Sequence, residues 1–166
     1  MNPQRLWAPW RATFIRQASA RTPGCIFCQA KRTRQHDRMR HVVARGEWAF
    51  ALLNRFPYNN GHLMIAPYRH VGRLMALEAA EWAEMLRLGR RLIMRLDRGL
   101  RPHGYNMGIN EGRAAGAGIP GHLHLHIVPR WSGDTNFMPA VGGTKVISES
   151  LDELYALLTG ASGRSM

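Results

Sequence analysis

Residues 122–128 read His122-Leu123-His124-Leu125-His126-Ile127-Val128, and so strict an alternation suits an extended strand far better than a helix. Strand side chains leave on alternate faces. The three imidazoles therefore share one face, and Leu123, Leu125 and Ile127 share the other, where a core can pack. Imidazoles two residues apart stand about 6.5–7 Å from one another, so they can address different atoms of one extended ligand such as a phosphate chain. A lone histidine here would read as a solvent-facing surface residue. An alternating triplet on an otherwise apolar strand, following a glycine-rich loop, points instead to use. A mononuclear metal site built from two of the three, as in cupins, is the competing use, because imidazole is a common metal ligand.

The rest of the chain supplies a sheet and helices around that strand. Residues 1–24 are rich in Arg and Trp without helical or strand period and read as an arm. Folded structure is expected to begin near Cys25, and residues 31–45 are basic and poorly patterned. Trp48 to Asn54 reads as a strand, Asn59-Asn60-Gly61 as a turn, and His62 to Pro67 as a second strand in an antiparallel hairpin. Leu74, Leu77, Met85, Leu88, Leu92, Leu96 and Leu100 place one apolar stripe along a helix of about six turns. Tyr105 to Asn110 is a third strand, Gly112 to Gly121 a glycine-rich loop, His122 to Pro129 a fourth strand, and Glu149 to Leu158 a terminal helix. Consecutive hairpins around one long helix argue for an α+β fold rather than a doubly wound parallel sheet. With no repeat and no linker, the 166 residues form a single domain: an arm (1–24), a core (25–130) and a C-terminal extension (131–166).

Charge narrows the ligand class. The net charge of +12 favours an anionic partner. All but two of the 23 cationic residues are arginines, the exceptions being Lys31 and Lys145, and they are scattered without interleaved aromatics. Nucleic acid is thus not the expected partner, and a small polyphosphate accounts for the charge equally well. Apolar runs are short and no secretory signal pattern opens the chain, so a cytoplasmic protein without membrane association is expected. In that compartment Cys25 and Cys28 read as a metal half-site or redox pair rather than a disulfide.

The triplet resembles the signature of the histidine triad (HIT) family of nucleotide-binding proteins, H-φ-H-φ-H-φ-φ with φ apolar, at every position of residues 122–128. The resemblance extends through Leu52-Leu53-Asn54, Gly61 to Pro67, and Asn110-Glu111-Gly112. It implies a HIT-like fold: an antiparallel sheet of about five strands, one long helix and a C-terminal helix. It also implies that His124 is the nucleophile toward an α-phosphate, with its second ring nitrogen donating to the carbonyl of His122. His62 and His126 would contact the phosphate under attack. Asn54 would bind ribose hydroxyls, Ile26 and Phe27 would lie around the base, and Asn110 would contact phosphate, with glycines such as Gly118 letting backbone amides approach. One departure stands out. Many members carry Ser or Thr three residues before the first triad histidine, where this chain has Ile119.

The same resemblance groups Cys25, Cys28, His70 and His122 as ligands of a structural zinc, as in galactose-1-phosphate uridylyltransferase, with no organic cofactor. His36, His41 and His103 fall outside the pattern and are expected at the surface. Leu6 to Arg11 and Val128 to Phe137 are similar to the bacterial branch that includes diadenosine tetraphosphate phosphorylases. The implied substrate is an adenine nucleotide or dinucleoside polyphosphate, and the implied assembly a homodimer. A hydrolase of phosphoramidates or dinucleotides and a nucleotide-binding module without turnover are the alternatives.

Overall fold

The computed structural model describes residues 24–31, 33–134 and 147–160; the expectations for the arm and for much of the C-terminal extension lie outside these residues. Within them the chain runs α1 (Ile26–Ala30), β1 (Val42–Arg45), β2 (Ala49–Leu53), β3 (Leu63–Pro67), α2 (Ala79–Leu100), β4 (Gly104–Ile109), β5 (Leu125–Arg130) and α3 (Leu151–Thr159). The strands form one antiparallel sheet in the order β1-β2-β3-β5-β4, as expected of an α+β fold.

The β2–β3 hairpin sets the register, from Leu53 opposite Leu63 to Ala49 opposite Pro67. Its turn needs Gly61, whose φ of 72° lies in the left-handed region and whose missing side chain admits Leu96 and Leu100. Alternation then sorts the sheet into two apolar faces. Ala49, Ala51, Leu53, Leu63, Ile65, Leu125 and Ile127 pack under Met85, Leu88, Leu92 and Leu96 of α2 and Leu154 and Leu158 of α3. Phe50, Leu52, Met64 and Ala66 pack against Phe27 and Ala30 of α1. Burial on both faces explains why β2 and β3 read as nearly continuous apolar runs, each such side chain contributing about 1.5–3 kcal/mol.

Differences from the sequence reading have local causes. The helix begins at Ala79, and Leu74 lies in a 3-10 turn (Leu74–Ala76) with 44% of its surface exposed, because Glu81 terminates the helix by accepting the Glu78 amide N–H at 2.9 Å. β1 lies in the segment read as unpatterned; four residues with only two fully buried leave no period to see. The ladder of β5 starts at Leu125, not His122. Its partner β3 ends on Pro67, which has no N–H to give, and the Leu123 amide instead donates to the Val71 carbonyl at 2.6 Å. His41 is only partly at the surface: it adopts φ 53°, accepts the Leu53 amide N–H on its carbonyl, and buries Nδ1 beside Tyr155.

Glu81 is nearly inaccessible yet charged. Arg69 donates to its carboxylate at 2.8 and 2.6 Å, and this pairing holds its carboxyl below the usual carboxylate range against the opposing effect of burial. Glu81→Gln should lower stability at neutral pH by about 1–3 kcal/mol in urea melts. A group whose folded pKa is depressed stabilises above its ordinary value, 4.5, and loses that contribution as pH falls. The gap between wild type and variant should therefore close progressively below pH 4.5.

Candidate active site

Five histidines (His62, His70, His122, His124 and His126) and two cysteines (Cys25 and Cys28) converge on the α1 side of the sheet. His124 is fixed first. Its Nδ1 lies 2.8 Å from the His122 carbonyl oxygen, and a carbonyl can only accept, so Nδ1 carries the proton and Nε2 keeps a lone pair. Phe27 forms the floor, its ring centroid 4.7 Å from that of His124 and 5.0 Å from that of His122. Burial pushes the His124 pKa below 6.5, only partly countered by the bond to His122. A ring kept neutral with one nitrogen bare is a nucleophile.

The neighbouring pair is poled the other way. The Tyr58 amide N–H donates to His62 Nδ1 at 3.0 Å, so in the neutral ring the proton sits on Nε2, which lies 2.9 Å from His126 Nδ1. His126 Nδ1 thus accepts, and its Nε2 carries hydrogen. Asn54 agrees with this polarity, because its Oδ1 accepts the Phe56 amide and its Nδ2 lies 3.3 Å from the same His62 nitrogen. The His124 and His126 ring centroids are 4.6 Å apart. A lone pair on one imidazole and an N–H on the next suit attack on an anionic electrophile whose oxygens need hydrogen bonds.

Behind the nucleophile, Cys25, Cys28, His70 and His122 bring one donor atom each to within 4.8 Å of one another. Cys25 Sγ lies 3.3 Å from His122 Nδ1, Cys28 Sγ 3.7 Å from that atom and 3.2 Å from His70 Nδ1. Donors around one tetrahedral zinc stand about 3.5 Å apart, so the spacing fits such an ion. The tautomer fits too. His122 Nε2 donates to the Pro67 carbonyl at 2.9 Å, which leaves the Nδ1 lone pair aimed at the sulfurs. Burial pushes the His122 pKa down to about 4 and the Cys25 thiol up, so the imidazole is neutral and the thiol wants a cation before it ionises.

The expected nucleotide contacts are unevenly disposed. Phe27 has no exposed surface and lies beneath the imidazoles, whereas Ile26 beside it keeps some. Asn110 is the residue immediately after β4, whose last pair is Ile109 opposite Leu125, and it is half-buried. Gly118 is exposed in the loop before the triad. Sequence reasoning missed Tyr58, whose amide sets the polarity of His62 and whose ring lies 4.7 Å from the His62 centroid, and the carbonyls of Pro67 and Val71. Backbone groups leave no residue-type signal.

Three alternating imidazoles leading into β5, the central one locked to the carbonyl of the first, define the histidine triad class, and the chain belongs to it: the HIT domain family model matches residues 35–133. Among individual relatives, the chain is 40% identical to the AP-4-A phosphorylase of Mycobacterium tuberculosis, over 93% of this chain and 82% of that one. It is similar in structure to a zinc-bound histidine triad family protein from Mycobacterium smegmatis (25% identity, TM-score 0.58, 90% of this chain and 91% of that one). A histidine triad nucleotide-binding protein from Sulfolobus tokodaii is comparably close (26% identity, TM-score 0.59, 82% and 87% covered).

The proton positions are directly testable. Long-range ¹H–¹⁵N spectra should show His124 protonated at Nδ1 and His62 and His126 at Nε2. At pH 6.5 less than half of His124 should be charged, since its folded pKa lies below that value; a ring mostly protonated at pH 6.5 contradicts the assignment.

Proposed function

We propose that this protein cleaves dinucleoside polyphosphates at an α-phosphorus through a nucleotidyl-His124 intermediate, with inorganic phosphate as the second nucleophile. The carrying observation is the bare Nε2 of His124, held by the 2.8 Å bond at Nδ1. The M. tuberculosis relative's name supports diadenosine tetraphosphate as substrate and phosphorolysis as outcome.

His124 Nε2 attacks the α-phosphorus of diadenosine tetraphosphate, a P–N bond forms, and ATP departs with the electrons of the broken P–O bond. The ring becomes cationic as it bonds, and the His122 carbonyl at Nδ1 stabilises that charge. His126 Nε2–H, backed by His62, donates to oxygens of the reacting phosphate. Phosphate then attacks the same phosphorus, breaks P–N and releases ADP with the free imidazole. Isoleucine at 119 provides no hydroxyl for the leaving group, so that task falls to backbone amides of the glycine-rich loop and to His126. Asn54 and Asn110 would hold ribose and phosphate, with Ile26 along the base.

Cys25, Cys28, His70 and His122 would hold a structural zinc, a reading supported by their donor geometry and by the zinc-bound relative. When bound, it supplies a rigid charge that orients His122. The exposed edge strand β4 and the outer face of α2 are where a homodimer would form. No helix among the described residues is long and apolar enough to cross a membrane.

Incubation with diadenosine tetraphosphate and phosphate should yield ADP plus ATP; AMP plus ATP regardless of phosphate would instead make water the acceptor. His124→Asn should abolish the nucleotidyl adduct seen by mass spectrometry and lower kcat by about 10⁴-fold or more, with nucleotide affinity largely kept. Binding without an adduct in wild type would favour the non-catalytic module. Purified protein should carry about one zinc per chain, and Cys28→Ser should lose it.

A further inference from the structure

The two segments bearing the histidine ligands of the cluster, residues 67–74 and 119–123, lie against one another along their backbones. Two contacts join them and a third ties the first segment to the preceding loop. His122 Nε2 donates to the Pro67 carbonyl at 2.9 Å, the Leu123 amide to the Val71 carbonyl at 2.6 Å, and the Leu74 amide to the Glu111 carboxylate at 2.9 Å from the loop ahead of the second segment. Between them sits Gly72. A Cβ at that position would lie 2.7 Å from the Pro120 carbonyl oxygen and 3.2 Å from Gly121 Cα. Both obstacles are backbone, so no rotamer change relieves the overlap and one segment must move. The φ of Gly72 is not in the left-handed region, so what the position requires is room rather than conformational freedom.

What would move is informative. Gly121 also passes His70, a Cβ there coming 3.1 Å from His70 Nε2, and the next residue is His122. One contact therefore sets both imidazoles of the cluster. Through the His122 carbonyl it also sets His124.

We propose that Gly72 is a positioning residue that couples the metal cluster to the nucleophile: its missing side chain lets residues 119–121 close on residues 71–73, which aims His70 and His122 at one ion and the His122 carbonyl at His124 Nδ1. This rests on the zinc and nucleophile assignments made above, and its test reads them apart.

Zinc affinity by chelator competition, thermal melting and steady-state kinetics would be compared in wild type, Gly72→Ala and Gly104→Ala. Gly104 is a matched control, since nothing lies within 4 Å of a Cβ there. Gly72→Ala should bind zinc about 10–100-fold more weakly and lose kcat with KM within about twofold, while Gly104→Ala matches wild type in both. Unchanged zinc affinity and kcat in a folded Gly72→Ala protein, or a drop in melting temperature alone, overturns the proposal. If Gly72→Ala does not fold, Gly121→Ala, whose only obstacle is the His70 ring, takes its place: weaker zinc binding supports the coupling, and wild-type affinity overturns it. Zinc competition needs no substrate, so a wrong substrate assignment leaves this readout intact. Should wild type bind no zinc, the His124 Nδ1–H signal decides: its loss in Gly72→Ala supports the coupling, and its persistence overturns it.

Discussion

The hydrogen bond from His124 Nδ1 to the His122 carbonyl is the interaction on which the rest of the site depends. It settles which nitrogen of the buried ring is bare, and it makes the reactivity of one residue a function of the backbone position of another two places away. Other features serve that carbonyl. Pro67 holds the His122 ring, the Cys25–Cys28–His70 group faces its other nitrogen, and Phe27 closes the space beneath both imidazoles. The sheet carries the strand, but side-chain and carbonyl contacts aim it.

Charge is distributed to the same end. Six acidic residues are held by partners within the chain: Asp37 with Arg45, Glu81 with Arg69, Asp134 with Arg130, Asp97 with the Tyr105 hydroxyl, Glu153 with the Ser150 cap, and Glu84 with the amides of Trp48 and Ala49. With 23 cationic and 11 acidic residues in the chain, most of the positive charge has no carboxylate to offset it. The excess positive charge in the composition is therefore expressed as a surface field, which raises the local concentration of a polyphosphate.

Short apolar runs bounded by turn residues made the central strands legible from residues alone, the three-to-four-residue stripe did so for the long helix, and alternation did so for the triad. Cys25 and Cys28 were legible as a half-site from their type and spacing, and His70 and His122 joined them through the family resemblance. Features built on backbone were not. Pro67 ends β3 early and shifts the start of the β5 ladder, β1 is too short to show a period, and the polarity of the His62–His126 pair comes from the amide of Tyr58, a group every residue but proline possesses.

The Cys25 to His122 contact joins residues 97 positions apart, so the two flanks of the pocket come from nearly opposite ends of the domain. The entropy of closing so large a loop rises only logarithmically, and doubling its length would add only about 0.6 kcal/mol. Exposed connections between the two ends can therefore be lengthened or shortened with little thermodynamic penalty. The periphery can thus be remodelled without disturbing the contacts that aim His124.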